Sequence, residues 1–117
     1  MRHPGPIAGA LLLAAAIGYA QPPPIPAEET LRYTINWPSG LSLGEGLLNA
    51  ARSGDRWTFS LTLDAALPGF AVSDRYRSVA NAGLCALEAE KDATHGKRRT
   101  RERTVFNHRR GIARRVT

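Results

Sequence analysis

Four sets of residues in this chain are of types that could do chemistry. Gly40-Leu41-Ser42-Leu43-Gly44 spells G-x-S-x-G, the spacing that can expose a nucleophilic serine for acyl transfer. That chemistry requires a sharp strand-to-helix elbow and a downstream acid and His on an α/β sheet. Here alternating, strand-like sequence flanks the match on both sides, so only the letters agree. His95 and His108 are the second candidate, and they fall on different predicted loops without further ligands at zinc-site spacing. Gly44 and Gly46 flank Glu45 but no Gly-Lys-Ser follows to open a helix and cradle a phosphate. The reading from these stretches is no catalytic residue, no cofactor and no metal.

The fourth is the basic end. Residues 91–117 carry ten Lys and Arg against two acidic side chains, a net charge of +8, whereas residues 21–90 carry five against eight, −3. The high isoelectric point therefore belongs to the end of the chain. A helix there would leave Val105, Phe106 and Ile112 off any common face. As a strand, Lys97, Arg99, Arg101 and Arg103 point one way, and Arg98, Thr100, Glu102, Thr104 and Phe106 the other. The first four are candidate contacts to an anionic surface, either lipid head groups or an acidic envelope polymer. No aromatic side chain interleaves the run to stack bases, and the chain reads as exported, so nucleic acid is not an expected partner. The plainer reading is a solvated strand whose charges discourage edge-to-edge aggregation.

The export reading rests on the first twenty residues. Arg2 makes a positive start, Ile7 to Ile17 is apolar or glycine throughout, and Gly18-Tyr19-Ala20 supplies the small residues that a signal peptidase inspects. The apolar run is too short for a membrane span, which needs about 20 residues. Residues 1–20 are therefore expected to be a secretory signal peptide cleaved before Gln21, which sends the chain to the periplasm or outside the cell. Residues 21–29, QPPPIPAEE, form a proline-rich extended leader. Residues 30–117 are left for one small domain. Cys85 is the single cysteine, so no internal disulfide can brace that domain, and it is expected to be a small buried hydrophobe.

The elements that must position any site read as strands. Leu31, Tyr33, Ile35 and Trp37 alternate with polar residues, as do Trp57, Phe59, Leu61 and Leu63. Between them, Leu41 to Arg52 is a strand whose paired glycines suggest a bulge, a bend or the close approach of another backbone. Leu67-Pro68-Gly69-Phe70 reads as a loop, followed by strands over Asp74–Ala80, Leu84–Lys91, Lys97–Asn107 and Ile112–Thr117. The fifth has some helical propensity in ALEAEK, but its neighbours favour strand. The expected fold is all-β: an antiparallel meander with one oily face, a curved sheet or partial barrel, open at its C-terminal end because no closing element follows.

The order of these pieces resembles a known family. Leu31-x-Tyr33-x-Ile35-x-Trp37, Gly40, the Gly44/Gly46 pair and Trp57 to Leu63 come first. Asp74-Arg75-Tyr76-x-Ser78, Glu90-Lys91 and Thr104-Val105-Phe106-Asn107-x-x-x-Gly111 follow. Together they look like the exported bacterial domain of unknown function 3108 family. The resemblance implies an envelope location and a β-rich fold, and it brings no catalytic residues. Members usually run to about twice the mature length, so the chain is expected to represent the N-terminal half, and Asn107 stands where the family typically has Asp. The functional expectation is a non-enzymatic envelope domain that offers a concave apolar face to a lipid-like or protein partner. Its rivals are the N-terminal fragment of an envelope enzyme and an anionic-surface module that uses the basic end.

Overall fold

The computed structural model describes Gly18 and residues 24–117. The expected signal peptide, apart from Gly18, and the first residues of the leader lie outside the described residues. All regular structure among those residues is strand: β1 (Glu28–Asn36), β2 (Ser42–Ser53), β3 (Arg56–Leu67), β4 (Phe70–Asn81), β5 (Ala86–His95), β6 (Arg98–Asn107) and β7 (Ile112–Val116). They form one antiparallel sheet in the order β1-β2-β3-β4-β5-β6-β7, an open meander in which every strand pairs with its sequence neighbour.

Turn chemistry sets the strand lengths. Pro68-Gly69 does not interrupt the sheet as a loop. It is a two-residue hairpin turn: Pro fixes its own φ near the value the first corner needs, and Gly69 takes φ +73° at the second. Leu67 consequently pairs with Phe70, and β3 and β4 each extend to 12 residues, beyond the sequence-based limits of Asp64 and Asp74. At the next corner the Asn81 side chain accepts hydrogen bonds from the backbone N–H groups of Gly83 and Cys85, both at 3.0 Å. Leu84 there takes φ +64°. Cys85 is held in this outward corner and is exposed, contrary to the expectation of a buried hydrophobe.

Period-two alternation sorts the side chains onto two faces. Along one face, Leu31, Leu48, Leu61, Tyr76, Lys91 and Glu102 form a continuous row across β1 to β6. A parallel row runs Tyr33, Gly46, Leu63, Asp74, Ala93 and Thr100. This face is apolar over β1–β3 and becomes polar over β5 and β6. The opposite face carries Arg75 and Arg77 on β4, Glu88, Glu90 and Asp92 on β5, and Arg99, Arg101 and Arg103 on β6.

A one-layer sheet has little interior. Trp57, Ala80 and Ala93 are the buried apolar residues, and Trp57 keeps only 4% of its surface exposed. Its ring stacks on Phe59 at 5.9 Å, and the Arg52 guanidinium, directly across the β2–β3 ladder, lies 5.7 Å from its centroid. Leu31, Tyr33 and Leu48 are by contrast 39%, 51% and 36% exposed.

Candidate functional site

The G-x-S-x-G match dissolves in three dimensions. Gly40 closes the β1–β2 turn with its N–H on the Trp37 carbonyl, and exposed Ser42 opens β2 opposite Asn36. Two strands flank the serine, and no elbow forms. Gly44 instead serves packing, at the close backbone approach that its sequence context suggested. A Cβ there would run into the Asp64 carbonyl oxygen and come within 2.6 Å of the Ala65 Cα.

His95 ends β5, and His108 sits in the β6–β7 turn, donating from Nε2 to the Ala86 carbonyl at 2.6 Å. Among the described residues no group of three or more His, Cys, Asp or Glu side chains could hold a metal ion. His95 has a partner that sequence reading missed. Its Nε2–H donates to the Asp74 carboxylate at 2.9 and 3.1 Å, on the face that is apolar over β1–β3. The Asp74 side chain is 7% exposed, so this bond satisfies a carboxylate that would be costly to bury alone. The sequence held a clue: Asp74 shares its parity with Tyr76 and Ala80, which makes it an acid at an inward position. The partner twenty-one residues on becomes visible only with the β4–β5 register, which pairs Asp74 with Ala93 and Val72 with His95.

The charged face gathers the candidate basic residues. Lys97 lies in the β5–β6 turn, and Arg99, Arg101 and Arg103 project on one side of β6, as their alternation predicts. Each of the three arginines meets a carboxylate of β5. Arg99 holds both oxygens of Asp92, from Nε at 2.9 Å and Nη2 at 2.7 Å, and Arg101 Nε reaches the same residue at 3.1 Å. Arg103 grips Glu88 at 3.0 and 2.9 Å and stands 3.7 Å from Glu90. On the other flank Arg75 forks onto Asp64 at 2.9 Å, beside the Ser73 hydroxyl. Strand β5 is thus an acidic strip between the arginines of β4 and those of β6.

This ladder sets the ionisation of its acids. The Arg99 guanidinium, aided by Arg101, holds the Asp92 carboxyl down at about 2. Arg75 and Ser73 lower Asp64, and Arg103 lowers Glu88. A carboxyl depressed on folding contributes stability that is complete above its unfolded value, 3.8 for Asp92, and disappears as pH falls through the folded value near 2. Carboxyl NMR titration of Arg99→Gln is expected to raise the Asp92 midpoint more than Arg101→Gln does, because Arg99 supplies two bonds and Arg101 one. Equal shifts would contradict that ranking.

Two troughs open on this charged face. The larger, about 570 Å³, runs over β3 to β7 and is flanked by Arg75, Arg77, Arg101 and Arg103. The smaller, about 400 Å³, lies towards the β2–β3 turn and also includes Arg77.

The family model described as "Protein of unknown function (DUF3108)" matches residues 32–117, from β1 to the last residue of the chain. The chain belongs to the DUF3108 family. The match runs from within β1 through β7, so the Asp74–His95 pair and the arginine ladder both lie within the DUF3108 domain. Neither the curated proteins nor the solved structures contain a match to the chain.

Proposed function

We propose that this DUF3108 chain is an exported, non-enzymatic domain of the cell envelope whose apolar face is a docking surface for a second β-sheet layer. The observation that carries the docking is the exposure of Leu31, Tyr33 and Leu48 on one face of a single-layer sheet. A sheet with one oily face is stable when another layer covers it. Export is supported by the composition of residues 1–20.

Another copy of this chain is the layer whose surface matches. Over β1–β3 the apolar face has charges only at one end, Glu29 and Arg52, whereas over β5 and β6 it carries Lys91, His95, Arg98 and Glu102. A two-fold axis near β2 stacks oil on oil and leaves both charged halves in water, as a self-complementary sandwich requires.

The test is to produce the chain with its own N-terminus, recover it by osmotic shock, and measure its mass intact and in solution. The expected result is a periplasmic chain that begins at Gln21, dimeric at micromolar concentration, with Leu48→Glu monomeric. A product that retains Met1 overturns export. A monomer that floats with uncharged vesicles makes the face a lipid-binding one, and a monomer that binds nothing removes the docking role; either result overturns the dimer.

A further inference from the structure

The arginines of the charged face are not equally committed. Arg75, Arg99 and Arg103 each grip a carboxylate through two nitrogens, and Arg101 uses Nε alone, which leaves both terminal amino groups open to a ligand. Arg77 is different. No carboxylate of the described residues stands within ion-pair distance of its guanidinium, although Glu90 is its direct cross-strand neighbour and Arg103 claims that acid.

Arg77 also occupies a distinct place, because it lines both troughs at the middle of β4. Across the β3–β4 ladder its partner is Ser60, and the neighbouring inward position on this face is Thr62. Both hydroxyls line the larger trough and make no side-chain hydrogen bond with the described residues. On the far wall stands Arg101. The carboxylates that this face brings to the trough are Asp92, held ionised by Arg99 and Arg101, and Glu90, which stands beside Arg103; Lys91 and Glu102 also line it but belong by their parity to the opposite face. With Asp64 and Glu88, which pair Arg75 and Arg103, the five arginines of β4 and β6 on this face meet four carboxylates, an excess of one positive charge that falls at Arg77. A volume of about 570 Å³ lies within the usual range of small-ligand sites, roughly 300–1,000 Å³.

The geometry points to an anion site in this trough, for a phosphate ester, with Arg77 as the anchoring side chain. A guanidinium presents a planar fork that suits two phosphate oxygens at once, and charge-assisted bonds of this kind are about twice as strong as neutral ones. The uncommitted amino groups of Arg101 close the opposite side, and the Ser60 and Thr62 hydroxyls donate from the floor. The site lies on the face opposite the docking surface, so it does not depend on the dimer. The ion-paired arginines of β6 shape the trough, and the uncommitted one on β4 provides the affinity.

The same ester chemistry could reach the site free in solution or as a lipid head group, and two probes separate these sources. Glycerol phosphate is titrated into the full exported chain by calorimetry, and sedimentation is measured with phosphatidylglycerol vesicles and with phosphatidylcholine vesicles. Each is repeated for Arg77→Gln and for Arg114→Gln, an exposed arginine of β7 on the same face but outside the troughs. The expected result is binding that Arg77→Gln weakens about tenfold and Arg114→Gln less than twofold, with circular dichroism unchanged. Binding of glycerol phosphate supports the site with a soluble ester as its ligand. Binding confined to phosphatidylglycerol vesicles supports it with a lipid head group. Equal losses in the two variants would reduce the effect to diffuse charge and overturn the site, as would failure of both probes to bind.

Discussion

Replacing Gly44 with alanine is expected to destabilise the sheet by about 2–3 kcal/mol, at the upper end of the range for forcing one extra carbon into a packed position. The cause is local and rigid. The new Cβ would collide with the Asp64 carbonyl oxygen and lie 2.6 and 2.8 Å from the Ala65 Cα and the Asp64 carbonyl carbon, all of them backbone atoms. Backbone cannot turn aside as a flexible side chain can, so β2 and β3 must separate around the Gly44–Ala65 pair. Gly46, two residues along on the same face, provides the control. A Cβ there would meet Tyr33 Cβ at 3.7 Å and Leu63 Cδ1 at 3.8 Å, ordinary contact distances. Gly46→Ala should therefore be neutral or stabilising by about 0.4–1 kcal/mol, through the reduced freedom of the unfolded chain. Urea unfolding of the two variants separates them, and equal midpoints would show that close backbone approach is not what Gly44 accommodates.

That contrast shows how far the sequence can be read. The pair Gly44/Gly46 inside a strand pattern announced a bulge, a bend or a close approach. Which glycine made the approach depended on the register between β2 and β3, and alternation alone does not provide it. Strands β1 and β3 were legible because large apolar residues recur at every second position. Strand β4 was read short because Pro68-Gly69 looks like a break, whereas the two residues form a tight turn that keeps both neighbours paired. Cys85 was misplaced because its residue type favours burial, while the Asn81 side chain holds that corner outside the sheet.

The basic run was legible as a face but not as a network. Its alternation put Arg99, Arg101 and Arg103 on one side, yet the acids that meet them lie in the preceding strand. The clue was present in His95-Gly96-Lys97-Arg98. With a two-residue turn at Gly96-Lys97, the chain folds back so that Asp92 faces Arg101 and Glu90 faces Arg103. Register therefore pairs three of the nine basic residues after His95, Arg99, Arg101 and Arg103, with acids of β5, where composition alone presents a single patch, and it leaves Arg77 of β4 without a carboxylate partner among the described residues. The function proposed for each face depends on that sorting: the apolar side is defined by what the described residues leave uncovered, and the charged side by a trough arginine, Arg77, that forms no ion pair with them.

The interior is so small that one side chain should dominate its stability. Trp57→Ala is expected to cost about 3–5 kcal/mol, the range for truncating a buried large aromatic. A small domain has about 5–15 kcal/mol in total, so the variant should be largely unfolded well below the wild-type midpoint. Trp57 is the largest of the three buried apolar residues, and it organises its surroundings from the second residue of β3, one pair in from the β2–β3 turn. Phe59 stacks on it at an interplanar angle of 10°, Arg52 lies over its ring, and Ala80 backs it across the β3–β4 pair. Removing the indole exposes Phe59 and strands the Arg52 stem, and the neighbouring alanines are too small to close the gap. Trp37 offers the comparison, since it is 56% exposed just past the end of β1, and Trp37→Ala should cost less than about 1 kcal/mol. The pair also provides its own readout. With Trp37 removed, the remaining emission should be blue-shifted in the folded protein and should move red in one cooperative step with urea. Emission at the wavelength of free tryptophan before any urea is added would place Trp57 in water and remove the centre of this fold.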